Sequence, residues 1–150
     1  MSRALLYTWE LPQSLLGLAY YAYLRLRGGI LGVERRPDGR HVVHTRATGL
    51  SLGAWVFWAR LGGDPVPPER DVTRAHELGH AVQSRRHGPL YLLTVGLPSV
   101  SRAAYAWWHL HRTGRWWDRY YDAWPEDDAD RLGGIRRDAR GRRFLAQRPP

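Results

Sequence analysis

At 150 residues the chain is about one domain long, enough to bury a core without covalent staples. It has no cysteine, which excludes disulfides, thiol catalysis and cysteine-ligated metal, so a metal would need His, Asp or Glu. The formal net charge is +9, and all 23 basic residues are arginine. That bias fits a genome-wide preference for Arg over Lys. The charge is therefore weak evidence for nucleic acid, which is not the expected partner, and it remains compatible with an anionic membrane surface.

No stretch reaches the roughly 20 apolar residues of a membrane span. The longest apolar runs are residues 14–24 and 89–100, and the second contains Gly96 and Pro98. The N-terminus resembles a signal peptide only briefly. Glu10 and Pro12 interrupt it and no small-x-small cleavage site follows Leu24, so it reads as mature protein. The expected location is cytoplasmic. Residues 15–23 are rich in Leu and Tyr and precede Arg25 and Arg27. A packed terminal helix is the favoured reading of them, with a membrane-peripheral position as the other.

Residues 4–26 read as helix, with a break at Pro12, and Gly28-Gly29 ends the element. Residues 30–36 and 40–46 flank Pro37-Asp38-Gly39 and read as a hairpin. Residues 50–59 read as a third strand, able to take an extended peptide along its edge. Residues 62–69 read as a loop. A helix follows over 71–87, capped by Asp71 or Thr73 and stopped by Gly88-Pro89. Residues 90–112 read as a helix bent near Gly96–Pro98. Residues 116–131 are a further helical candidate, interrupted or begun at Pro125. Residues 136–150 read as a flexible basic tail beyond a single domain over 1–135. The class is therefore α+β, with a small antiparallel sheet of about three strands packed against helices. The eight tryptophans suggest core packing or an interfacial belt, and without a spanning helix core packing is the favoured reading.

The chemistry is concentrated in His76-Glu77-Leu78-Gly79-His80, a HExxH match. Residues four apart share a helix face, so two imidazoles from adjacent turns can meet one zinc ion. Glu77 is one step round, beside the metal rather than on it, where it can take a proton from the attacking water. With seven His and five Glu in the chain, chance gives roughly 0.01 such matches. The longer metzincin pattern needs a glycine at position 83 and a histidine at 86. Gln83 and Arg86 stand there instead, and His87 is out of phase.

A catalytic zinc needs a third protein ligand. Glu126 lies four residues before Asp130, on one helix face. Glu126 could bind the metal while Asp130 accepts the second ring N–H of a ligating histidine. Asp127, Asp130, His109 and His111 are the competing third ligands. His109 and His111 sit among aromatics and read better as core or interfacial residues. His41 and His44 point to opposite faces of a strand and read as structural or solvent-facing. Tyr120 or Tyr121 could donate to a developing oxyanion, though core packing is the commoner role. Gln83 and Ser84 lie one turn beyond His80, within reach of the next loop, and receive no catalytic role.

His76-Glu77-x-x-His80 with Glu126-x-x-x-Asp130 resembles the gluzincin pattern of zinc metallopeptidases. The resemblance implies zinc held by His76, His80 and Glu126, Glu77 as general base, Asp130 behind a ligand, and a minimal zincin-like core. His76-Glu77-Leu78-Gly79-His80-Ala81-Val82-Gln83-Ser84 and Gly88-Pro89-Leu90-Tyr91-Leu92 are also similar to a set of small bacterial proteins with HExGHxxQS and GPLYL blocks. Those proteins carry an acid near a stretch matched here by Ala129-Asp130-Arg131-Leu132-Gly133. The resemblance covers about residues 71–135 and leaves out the large second domain of long gluzincins, so their substrate pocket is not carried over. The expected function is zinc-dependent hydrolysis of a peptide or protein substrate. The alternative is a non-catalytic, zinc-stabilised binding module at a membrane surface or protein partner.

Overall fold

The computed structural model describes residues 3–60 and 67–146. Helix α1 (Arg3–Trp9) and helix α2 (Leu11–Leu26) divide at Glu10. Proline lacks an N–H and fits only the first turn of a helix, so Pro12 forces a new start just before it. The positive φ of Gly28 closes α2. Strands β1 (Ile30–Arg35) and β2 (His41–Thr45) then form the expected antiparallel hairpin.

The single strand expected over 50–59 is two strands, β3 (Leu50–Leu52) and β4 (Trp55–Trp58), paired antiparallel. Gly53 turns the chain between them at φ +59, and a Cβ there would lie 2.2 Å from Ser14 Oγ. The Ser14 hydroxyl in turn accepts the Ala54 N–H at 3.0 Å. Because β3 folds out to the edge, β4 enters beside β2 in parallel, and the order is β1-β2-β4-β3. The sheet is therefore four-stranded and mixed, where three antiparallel strands were expected.

Side-chain alternation gives this sheet two apolar faces. Val42, Val56 and Trp58 pack on Leu78 and Ala81 of helix α3 (Val72–His87). Val43 and Phe57 pack on Tyr20, Tyr21 and Leu24 of α2. Helix α3 thus has the sheet on one side, and its other side meets helix α5 (Glu126–Leu132).

Between α3 and α5 the chain runs through a π-helical turn, Leu92–Gly96, into helix α4 (Leu97–Thr113), so the expected bend at Gly96–Pro98 is a change of helix type. The stretch 116–131 contains a 3-10 turn, Asp118–Tyr121, and α5 starting directly after Pro125. The loop expected over 62–69 lies largely outside the described residues, and Pro68–Arg70 forms a 3-10 turn.

Two further expectations need correction. The segment taken as a free basic tail is a hairpin as far as it is described. Strand β5 (Ile135–Arg137) pairs with β6 (Arg143–Leu145), because Arg142 and Arg140 bind Asp138 and close the turn between them. Residues 147–150 lie outside the described residues. The tryptophans are not mainly core residues. Trp58 is buried, but Trp9, Trp107, Trp108, Trp116 and Trp124 are exposed. No helix among the described residues is long and apolar enough to cross a membrane.

Candidate metal centre

Asp71 caps α3 by accepting the N–H of Thr73 at 2.9 Å and of Arg74 at 3.1 Å, which fixes the helix start five residues before His76. His76 and His80 then project from adjacent turns of one face, with ring centroids 4.7 Å apart. Opposite them stands the first turn of α5. The two helices meet at contact distance because Gly79 and Gly133 have no side chain. A Cβ on Gly79 would lie 1.9 Å from the Ala129 carbonyl oxygen, and one on Gly133 would lie 2.3 Å from that of Ala75.

This approach carries Glu126 into the space before the two imidazoles. Glu126 is fully buried. Its Oε2 lies 3.0 Å from His76 Nε2 and 3.4 Å from His80 Nε2. Two ligands tetrahedrally disposed about zinc at 2.0–2.1 Å are themselves about 3.3 Å apart. The observed separations suit that donor set, and the three residues could hold a metal ion. The other oxygen, Glu126 Oε1, is buried without a hydrogen-bond partner. An unpartnered buried carboxylate oxygen is costly, and a cation would satisfy it.

Each histidine is held from behind. His76 Nδ1–H donates to Asp130 Oδ1 at 2.7 Å. His80 Nδ1–H donates to Gln83 Oε1 at 2.7 Å. Asp130 is also gripped by Arg143 of β6, whose Nε donates to Oδ2 at 2.9 Å and whose Nη2 binds Oδ1. The same guanidinium lies 3.5 Å over the Tyr121 ring, which stands edge-on to His76.

The electrostatics follow from this packing. Burial opposes charge on His76, but the hydrogen bonds of Asp130 and Glu126 and the negative charge of Glu77 outweigh it, and its pKa rises to about 9. Burial would also raise Glu126, yet the bonds with His76 and His80 hold it well below the ordinary carboxylate range. Asp130 is lowered despite its burial, through His76 and Arg143. Glu77 moves the other way. Burial raises it, and the nearby His80 and His76 offset that only in part.

Glu77 lies beside the ligand set and is buried, with Oε2 unpartnered. Gly49, just before β3, leaves room for it, since a Cβ there would lie 2.3 Å from Glu77 Oε1. The edge strand therefore starts directly against this carboxylate.

The structure thus brings His76, Glu77, His80, Glu126 and Asp130 together. The competing ligands lie elsewhere or act differently. Asp127 is exposed, Asp130 stands behind His76, His109 Nδ1 is 3.0 Å from the Arg115 carbonyl, and the His111 ring stacks edge-on to Trp107 at 3.9 Å. Sequence reasoning missed Gly49 and Arg143, and it sent Gln83 to the next loop, whereas Gln83 bonds His80, Pro125 and Asp128. Gln83 had a signal, since it follows His80 by three residues on one helix face. Arg143 had none, being one arginine in an arginine-rich stretch. No protein-family model matches the chain, and no curated protein or solved structure matches it.

Proposed function

We propose that the chain is a zinc-dependent hydrolase of peptide bonds, of the gluzincin type that its HExxH helix and downstream glutamate resemble. The observation that carries this reading is Glu77. It is a buried carboxylate with an unpartnered oxygen, next to three residues that could hold a metal. A site serving stability alone is closed by four protein ligands and has no use for a base. Three protein ligands leave one position open.

His76 Nε2, His80 Nε2 and a Glu126 oxygen would hold the zinc. Bound there, zinc would acidify a coordinated water and polarise the substrate carbonyl. Glu77 would take the proton from the attacking water on Oε2 and return it to the nitrogen of the departing amine. Asp130 would hold the His76 ring in place and favour its Nε2 as the ligand atom.

Glu77→Gln tests this reading. The variant should retain zinc at the wild-type stoichiometry, because Glu77 is not a ligand. Hydrolysis of a mixed peptide library, followed by mass spectrometry, should fall by about 10²–10⁴-fold. Cleavage at the wild-type rate would remove Glu77 as base. Wild-type protein that binds no zinc when supplied with it would remove the metal.

A further inference from the structure

The two histidines of the site are backed by different groups, His76 by a carboxylate and His80 by an amide. Gln83 is fully buried, and all three of its polar contacts are with named partners. Its Nε2 donates to the Pro125 carbonyl at 2.9 Å and to Asp128 Oδ2 at 2.9 Å. Its Oε1 faces His80 Nδ1 at 2.7 Å.

These contacts fix the amide without ambiguity. A carboxamide has one oxygen that only accepts and one nitrogen that only donates. A backbone carbonyl and a carboxylate can only accept. The nitrogen must therefore face Pro125 and Asp128, and the oxygen must face His80. An acceptor at His80 Nδ1 requires the proton there. With Nδ1 committed to Gln83, Nε2, the atom 3.4 Å from Glu126 Oε2, is the one left to offer a lone pair to a metal.

We propose that Gln83 is the positioning residue of His80, setting its tautomer and ring plane so that Nε2 is presented to the metal. The amide is suited to this in a way a carboxylate is not. A glutamate at position 83 would set a second negative charge against Asp128 and would lose both donated bonds. Asp128 cannot readily turn away, because Arg131 binds its other oxygen. The same amide ties α3 to α5 at the residue just before Glu126, so one side chain orients a ligand on each helix. This role rests on the reading that His76, His80 and Glu126 hold zinc.

Zinc affinity and ring tautomer together test it, on the full chain. Gln83→Met keeps the length and removes the acceptor. Chelator competition should show zinc bound about 10–100-fold more weakly than by wild type. A merely structural role would lower the melting temperature of the metal-free protein and leave the affinity of the folded fraction unchanged, which would overturn the proposal. If Gln83→Met does not fold, the wild-type protein decides. Long-range ¹H–¹⁵N spectra of the zinc-loaded chain should place the His80 proton on Nδ1 and the metal on Nε2. Coordination through Nδ1 would overturn the proposal. Wild type that binds no zinc removes the site and this role together, whereas tight wild-type binding with an unaffected variant removes only the role of Gln83.

Discussion

In the metal-free protein His76 is an imidazolium, with its pKa raised to about 9 because Asp130 and Glu126 both stabilise the charge against the cost of burial. An unfolded histidine titrates near 6.5. The stability that the bound proton supplies is therefore complete below pH 6.5 and is lost as pH rises through about 9. At about 1.4 kcal/mol for each pH unit between those values, the loss is on the order of 3 kcal/mol. Glu126 has the opposite sign. It is held below its ordinary value of 4.5, so its contribution is present above pH 4.5 and is lost as pH falls. Chelator-treated protein should melt several degrees lower at pH 9 than at pH 6. Equal melting temperatures at the two values would mean that His76 carries no proton to lose. Zinc must displace that proton, so its binding should also weaken as pH falls. At this scale the sequence is most informative where chemistry imposes spacing. His76, Glu77 and His80 are legible because two histidines and a carboxylate at that interval on one helix are the spacing that a metal and a base would need. Gly49 is not legible, because its only role is to leave space for a carboxylate some 28 positions away in the chain.

Among the elements, the α3–α5 contact decides whether a site exists, and Gly79 sets its distance. Alanine is normally the better helix residue, by about 1 kcal/mol over glycine. Here the sign should reverse, since the added methyl would meet the Ala129 carbonyl at 1.9 Å and Ala129 is itself fully buried. Gly79→Ala should push α5 away, costing about 1–3 kcal/mol by overpacking, and carry Glu126 and Asp130 out of reach of the histidines. Zinc affinity should fall by more than tenfold alongside the melting temperature. A variant that is more stable than wild type, with unchanged zinc binding, would show that the helices do not depend on this approach. Helix α3 was legible from Asp71 to His87 because its cap and stop are local chemistry. The split between β3 and β4 was not. Residues 54–58 form one apolar run, and the turn before it is Gly53 seated against Ser14, which lies far off in the sequence. Once the split is missed, the parallel pairing of β2 with β4 cannot be anticipated either.

Across the whole molecule, the C-terminal segment is where composition misled most. Arginines near Gly and Pro read as a solvated tail, but pairing of β5 with β6 delivers Arg143 to Asp130. Asp130 is thereby shared between the ring of His76 and a guanidinium. Arg143 keeps Asp130 ionised and aimed, and it braces Tyr121 against His76. The candidate metal centre therefore draws on three distant parts of the chain: α3, α5 and this hairpin. Its dependence on the last can be measured. Both Arg143 and Asp130 are largely shielded, with side chains 17% and 7% exposed. Loss of one partner from a fully buried pair costs about 3–5 kcal/mol, so partial exposure brings the expectation for Arg143→Ala down to about 1–3 kcal/mol. The same change should weaken zinc binding by about tenfold, since Asp130 would no longer be fixed behind His76. A chain ending at residue 135 should show both effects at least as strongly. If that truncated chain binds zinc as tightly as the full chain, Asp130 is held well enough by His76 alone, and the hairpin has no part in the centre.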